Sequence, residues 1–173
     1  MRDAFKILER QPSIEAVVIA TFTNNPIFSN PAQLEAFQQA VLALGKKVIY
    51  VSSVPEFYRA PGGCKPRQVV LFGADLTVVP DADACREARP AIEAKMKPQW
   101  ALFMEAAKGN PNIAVYDSVP GFCDGEYCYQ SDSQGVLFWS FAHVNERGSA
   151  RVLKDFLPWL DKVLRGNGGR GRD

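Results

Sequence analysis

His143, the only histidine in the chain, is the side chain best suited to acid–base chemistry near neutral pH. It follows a strand-like run at residues 136–139 and precedes Asn145, which the sequence predicts as the cap of the last helix. Loops of an α/β scaffold commonly carry catalytic groups. Ser140 could accept a hydrogen bond from the imidazole, so the pair could form a weakened dyad. The alternative is a partly exposed histidine without a chemical role, because a base also needs a nucleophile within reach.

Four cysteines, an even number, permit either two disulfides or four free thiols. A zinc site is a further possibility, with His143 as an additional ligand. Structural zinc sites usually take close-set cysteine pairs, whereas here four residues separate one pair and twenty separate the other. The sequence therefore predicts no metal, and no other cofactor, since no glycine-rich phosphate loop follows a strand. The four cysteines are Cys64, Cys85, Cys123 and Cys128.

The composition limits the classes of partner. The 173 residues are 47% apolar and carry a formal charge of +1, so we predict no nucleic-acid partner, which would require a basic face. No run of about 18 apolar residues occurs, and the N-terminal residues lack the apolar block of a secretory signal. Export of the domain would therefore depend on a preceding segment. We expect one domain over residues 1–165 and a flexible Gly/Arg tail over residues 166–173.

Short runs rich in β-branched residues predict buried parallel strands, and amphipathic segments predict helices around them. Because strand–helix–strand units of this length form right-handed crossovers, we predict an α/β fold with a parallel sheet. The proline- and glycine-rich residues 55–90 are typical of a surface excursion. The strands are expected at residues 14–20, 47–51 and 112–116, and the helices at residues 30–44, 91–108 and 146–164.

A more specific pattern begins at the third cysteine. Cys123–Cys128 encloses an Asp-Gly turn, residues 135–139 form a strand-like run, and His143 precedes the glycine-containing start of the last helix. This order resembles the end of the SGNH hydrolase-like domain of membrane acyltransferases that O-acetylate surface polysaccharides. In that family a cysteine-bounded turn precedes a strand, an Asp-x-x-His motif and a Gly-Ala pair that opens the final helix.

Residues 14–20 and 46–55 are similar to two further strands of that family, and the resemblance covers most of residues 4–164. It implies a three-layer, flavodoxin-like SGNH fold with a parallel sheet, of which this chain would be the C-terminal part without the first strand. It also implies acyl-ester transfer or hydrolysis on a glycan acceptor or ester substrate at a bacterial cell surface. The domain would lie in the periplasm or at the extracytoplasmic face of the membrane. A membrane acyltransferase domain upstream in the parent protein would be its partner.

The resemblance also assigns roles to individual residues. His143 takes the position of the catalytic histidine, and Ser140 takes the place of the family's aspartate. Asn24 and Asn25 follow the first strand, near the place where SGNH enzymes hold an oxyanion-hole asparagine, although a turn with Pro26 is the simpler use of these residues.

An exported family further implies that Cys64 is bonded to Cys85, and Cys123 to Cys128.

Two departures from the family bear on activity. Its serine nucleophile lies in a Gly-Asp-Ser-His motif, which does not occur in these 173 residues. Ser118 and Ser133 each follow an aspartate, but neither has the preceding glycine, and both fall late in the chain. Ser140 cannot stabilise an imidazolium as a carboxylate does. We therefore expect either an incomplete acyl-transfer domain or a non-catalytic SGNH-like binding or accessory module, with little esterase activity.

The sequence also predicts the surroundings of the histidine. Trp139 and Phe141 precede it in the same motif and could lie in the core or form a pocket wall, and burial in the core is the commoner use of large aromatic side chains. We expect His143 itself at an open cleft beside the carboxyl ends of the strands, where open α/β sheets place their ligand sites.

Overall fold

Helices and strands follow one another along the chain in a mixed α/β order. The computed structural model describes residues 2–21, 30–64, 67–78 and 82–166. None of the described helices is long and apolar enough to cross a bilayer. The helices are α1 (Arg2–Arg10), α2 (Pro31–Ala43), α3 (Arg89–Ala107) and α4 (Glu146–Leu164). The strands are β1 (Ala16–Ala20), β2 (Lys47–Val51), β3 (Arg67–Leu71), β4 (Ala74–Val78), β5 (Arg86–Ala88), β6 (Ile113–Tyr116), β7 (Tyr127–Tyr129), β8 (Ser131–Asp132) and β9 (Gly135–Val136).

The main sheet is parallel, which confirms the prediction from the sequence. Its strands lie in the order β1–β2–β6, and the register pairs Ile49 of β2 with Val18 on one side and with Ala114 on the other. Val48, Ile49 and Tyr50 are fully buried in the middle strand. A strand covered on both faces requires an unbroken apolar run, and β2 supplies one.

Capping residues in the sequence set both ends of helix α2. The Asn30 side chain accepts hydrogen bonds from the backbone amides of Ala32 and Gln33, at 3.0 and 3.4 Å. Pro31 occupies the first helical position, where a missing N–H costs nothing. Beyond the last turn, Gly45 adopts a φ of 70°, which glycine tolerates without strain.

The chain divides into two compact units, and the first contains the parallel sheet. It takes the described residues up to 53, Lys97–Ser118 and the described residues from 156 onward. Its core joins apolar side chains of α2, α3 and the three strands, and the ring of Tyr50 stacks on Phe103 with centroids 4.6 Å apart. The Tyr50 hydroxyl donates to Gln38 Oε1 at 3.2 Å, and burial raises the pKa of Tyr50 to about 12. The phenol therefore stays neutral and paired at ordinary pH.

The second unit, Val54–Met96 and Val119–Asp155, has a separate core and only short ladders. Its strands pair antiparallel as β3–β4, β5–β7 and β8–β9. The ring of Phe138 lies 5.0 Å from those of Phe57 and Phe122, and all three are buried. The surface excursion predicted for residues 55–90 is wrong at its start, because residues 55–57 are buried and Phe57 belongs to this core. The β3–β4 hairpin is exposed over residues 68–78, with Phe72 fully exposed at its tip.

Two disulfides bind the second unit covalently. They join Cys64 to Cys85 and Cys123 to Cys128, as the family resemblance implies. Cys64, Cys85 and Cys128 are buried.

Candidate functional site

The predicted contact between Ser140 and His143 is present in the second unit. Ser140 Oγ lies 2.8 Å from His143 Nδ1. The imidazole is exposed and the serine is half-buried. A ring in this position can exchange protons with a ligand through Nε2, while Nδ1 is engaged by the serine.

Backbone hydrogen bonds fix the turn that carries this pair. The Trp139 amide donates to the His143 carbonyl at 2.7 Å, and Phe138 and Val144 form an isolated antiparallel bridge. The Phe57 amide donates to the Phe141 carbonyl at 2.7 Å. Backbone hydrogen bonds therefore hold the turn both internally and to a core segment of the same unit.

The start of α4 holds the C-terminal side of the turn. Asn145 Oδ1 accepts from the Gly148 amide at 3.0 Å, and Asn145 Nδ2 donates to the Val136 carbonyl at 2.7 Å, which confirms Asn145 as the helix cap. A Cβ on Gly148 would lie 2.2 Å from the Leu137 carbonyl oxygen and 2.9 Å from the Val144 Cβ. Only glycine fits there. The sequence pattern placed a glycine at the start of the last helix, but it did not show the contacts that exclude a side chain.

The hydroxyl of Ser140 leaves the imidazole tautomer open in a way that a carboxylate would not. A hydroxyl can accept a hydrogen bond from Nδ1–H or donate a hydrogen bond to an unprotonated Nδ1. Only the first arrangement leaves Nε2 with a free lone pair that can act as a base. An aspartate, which only accepts when ionised, enforces that arrangement and also stabilises the imidazolium.

The two other serines considered as nucleophiles are placed for structural roles. Ser118 is only 1% exposed, and its hydroxyl donates to the Ser53 carbonyl at 3.0 Å. Ser133 lies in the exposed turn between β8 and β9, next to Asp132. Neither position resembles a nucleophile held on an exposed elbow beside a base.

Asp132 is engaged in an ion-pair cluster. Its carboxylate lies 2.7 Å from an Arg147 nitrogen and 3.3 Å from an Arg151 nitrogen, and it accepts the Gln134 amide at 2.9 Å. Partial burial opposes the charge, but these hydrogen bonds and the two guanidinium groups hold the pKa of Asp132 below its usual range. The Asp-Ser pair at 132–133 is thus part of a charged turn.

A buried polar network lies where β2 and β6 end, in the first unit, and sequence reasoning missed it. Ser52 Oγ accepts the Ser118 amide at 2.9 Å, and the Ser53 hydroxyl lies 2.8 Å from both the Thr21 carbonyl and Gln99 Oε1. The available signal was Ser52 and Ser53 directly after β2, and Ser118 two residues after the end of β6. Their hydroxyls satisfy buried backbone groups, which makes the network structural.

The aromatic residues beside the histidine contradict the sequence-based expectation. Trp139 is 74% exposed and Phe141 is 52% exposed. The prediction of core positions is therefore wrong for both, because Phe138, which is 1% exposed, is the aromatic residue of this segment that packs in the core.

Asn24 and Asn25, the two candidates for an oxyanion-hole donor, lie outside the described residues.

The turn enclosed by Cys123 and Cys128 is held by a carboxylate. Asp124 Oδ1 accepts the amides of Glu126 and Tyr127 at 2.8 and 2.7 Å, and the Tyr129 hydroxyl donates to Asp124 Oδ2. The Tyr129 hydrogen bond, followed by the two amides, lowers the pKa of Asp124 to about 2. This geometry confirms the predicted tight turn.

Comparison with known proteins gives the family. The chain matches the family model described as "SGNH domain (fused to AT3 domains)" over residues 1–158. The chain belongs to this SGNH domain family. No curated protein matches it.

A solved structure supports the same fold. The chain is similar to the periplasmic domain of the lipopolysaccharide acetyltransferase from Salmonella ser. Paratyphi A, with a TM-score of 0.59 and 10% sequence identity. The match covers 93% of this chain and 62% of that one, so the chain spans less than two thirds of that domain. At this identity the likeness shows a shared fold, and it confirms the predicted SGNH-type α/β class.

Proposed function

We propose that this chain is an SGNH domain that serves acyl-ester transfer or hydrolysis on cell-surface glycans, with His143 as the general base and Ser140 as its positioning residue. The observation that carries this proposal is the 2.8 Å contact between Ser140 Oγ and His143 Nδ1, at the turn that precedes the glycine-opened final helix. Membership of the acyltransferase-fused SGNH family supports the reaction class.

The proposed chemistry requires one proton to move twice. His143 Nε2 accepts the proton of an attacking hydroxyl as its oxygen forms a bond to the acyl carbon. The bond from that carbon to the original ester oxygen then breaks, and the imidazolium returns the proton to the departing oxygen. Ser140 accepts the Nδ1–H hydrogen bond throughout and so keeps Nε2 available.

The attacking hydroxyl is not assigned to a serine of these 173 residues. The chain has no Gly-Asp-Ser-His motif, Ser118 is buried and hydrogen-bonded, and Ser133 lies in a charged turn. A serine supplied by another segment, or the hydroxyl of an acceptor glycan, would take this role. The isolated chain should therefore hydrolyse esters at background rates.

Three observations support an extracytoplasmic site of action in a larger protein. The family is fused to AT3 domains, so a membrane acyltransferase domain is the proposed partner. The similar Salmonella structure is a periplasmic domain. Both cysteine pairs are bonded as disulfides, which persist in oxidising compartments.

A non-catalytic glycan-binding or accessory module is the second candidate function. The observation that favours it is Ser140, because a hydroxyl at this position removes the charge that would stabilise the imidazolium. The two candidates differ in a measurable respect. If His143 is a general base, a carboxylate at position 140 should increase ester hydrolysis that depends on His143.

The test is hydrolysis of p-nitrophenyl acetate by the purified chain and by Ser140→Asp. We expect background rates for the wild-type chain and for Ser118→Ala and Ser133→Ala. Ser140→Asp should hydrolyse the ester on the order of tenfold faster, through base-activated water, and the double variant Ser140→Asp/His143→Ala should return to background.

Equal rates for Ser140→Asp and the double variant would contradict the base assignment and favour the accessory module. Robust wild-type turnover that His143→Ala and one serine variant abolish would show that the chain carries its own nucleophile.

A further inference from the structure

Two exposed aromatic side chains lie on either side of Ser140 in the turn that leads to His143. Trp139 is 74% exposed and Phe141 is 52% exposed, while the neighbouring Phe138 is 1% exposed. Tryptophan is among the more buried residue types on average, and turns usually carry polar residues. Two large rings displayed on one short turn beside a candidate base therefore indicate a contact surface.

The turn presents these rings on a fixed backbone. The Trp139 amide donates to the His143 carbonyl, and the Phe141 carbonyl accepts from the Phe57 amide, both at 2.7 Å. Tryptophan and phenylalanine have few rotatable side-chain bonds, so ordering them against a ligand costs little entropy.

The turn itself supplies no cation that would bind an anionic ligand. Residues 135–145 contain no charged side chain. The nearest cations along the chain, Arg147 and Arg151, are both paired with Asp132. The residues of the turn themselves offer a ligand two apolar rings, one serine hydroxyl and one imidazole.

We propose that Trp139 and Phe141 form a stacking platform for a neutral sugar ring of the glycan whose ester chemistry His143 serves. A pyranose offers C–H groups on its face, which pack on aromatic rings, and hydroxyl groups on its edge, which can reach Ser140 or His143. The proposal rests on the proposed function for its choice of ligand. It adds that the sugar recognised at this turn is uncharged and that it is held by ring stacking.

The test measures binding of the purified chain to an array of bacterial capsular and lipopolysaccharide glycans, each in native and de-O-acetylated form. We expect binding to neutral glycans that weakens about tenfold in Trp139→Ala and less in Phe141→Ala, the size of an aromatic contact of about 1.4 kcal/mol. Trp139→Tyr should retain most of the binding. Phe72→Ala, which removes a fully exposed ring from the β3–β4 hairpin, is the matched control and should bind like the wild type.

The remaining outcomes separate this inference from the proposed function. Binding that survives in His143→Ala but fails in Trp139→Ala supports the platform, whatever the esterase assay shows. The inference is overturned by unchanged binding in Trp139→Ala, by binding only to acidic glycans, or by binding to no glycan on the array.

Discussion

The two units of the chain use serine hydroxyls in opposite ways. In the first unit, Ser118 is 1% exposed and donates to the Ser53 carbonyl at 3.0 Å. In the second unit, Ser140 is half-buried and lies 2.8 Å from the exposed ring of His143. Both serines stand near residues that suggest chemistry, Ser118 after an aspartate and Ser140 before a histidine. The sequence neighbours of the two serines do not distinguish their roles. Burial and the hydrogen bonds to buried backbone groups separate the structural Ser118 from Ser140, which can take part in proton transfer.

The units also differ in what holds them together. A three-stranded parallel sheet with covering helices organises the first unit. The second has ladders of two to five residue pairs, two disulfides and side-chain-capped turns. The turn that carries His143 therefore depends on single contacts, and substitutions at those contacts should have large effects.

The largest effect is expected at Gly148. Gly148→Ala places a methyl group 2.2 Å from the Leu137 carbonyl oxygen, and the backbone must shift to admit it. We expect the free energy of unfolding, measured by urea denaturation, to fall by about 3 kcal/mol or more. Gly121→Ala, in the same unit and with nothing within 4 Å of its Cβ, should change it by less than about 0.5 kcal/mol. Equal effects of the two changes would contradict the close packing of α4 on the turn.

Removal of the disulfides should rank next. The Cys64–Cys85 bond spans a sequence separation of 21 and the Cys123–Cys128 bond one of 5. From the chain entropy of the unfolded state alone, we expect the free energy of unfolding to fall by about 3 kcal/mol without the first bond and by about 2 kcal/mol without the second. Paired alanine variants compared by denaturation under non-reducing conditions measure both. A larger loss from the Cys123–Cys128 pair would show that native packing, rather than chain entropy, sets the contribution.

A direct comparison of the two serines should give a smaller but clear difference. Ser118→Ala removes a buried hydrogen bond to the Ser53 carbonyl, so we expect a loss of about 1 to 2 kcal/mol. Ser140→Ala should stay within about 0.5 kcal/mol of the wild type, because its side chain contacts an exposed ring. Thermal melting of both variants checks this order, and a reversed order would mean that Ser140 has a structural role.

The smallest effect concerns Asp124, and it depends on pH. Its folded-state pKa of about 2 lies below the ordinary 3.8, so the charged form stabilises the folded chain above pH 3.8, and this contribution is lost as the pH falls to about 2. Asp124→Asn should therefore lower the melting temperature at neutral pH, and the gap from the wild type should close over that interval. A gap that is the same at both ends of the interval would show that the charge has no part in holding the turn.

The regular elements could be predicted from the sequence because their signals are local. β2 and α4 have the predicted bounds, and Asn30 and Asn145 cap helices as expected, since an apolar period or a capping side chain is visible in a few residues. The exposure of Trp139 and the buried network of Ser52 and Ser118 could not be predicted. Both depend on which rings and hydroxyls are buried, and contacts with residues distant in the sequence determine that burial.

The tautomer of His143 decides whether Ser140 positions the imidazole as a base. Because the chain has one histidine, its ring nitrogens give unambiguous long-range ¹⁵N–¹H correlations at a pH where the imidazole is neutral. If Ser140 positions the ring as a base, the wild-type chain should show the proton on Nδ1, and Ser140→Ala should shift the population toward the proton on Nε2. A wild-type ring protonated on Nε2, unchanged in Ser140→Ala, would show that Ser140 does not orient the base and would contradict the proposed role of the pair.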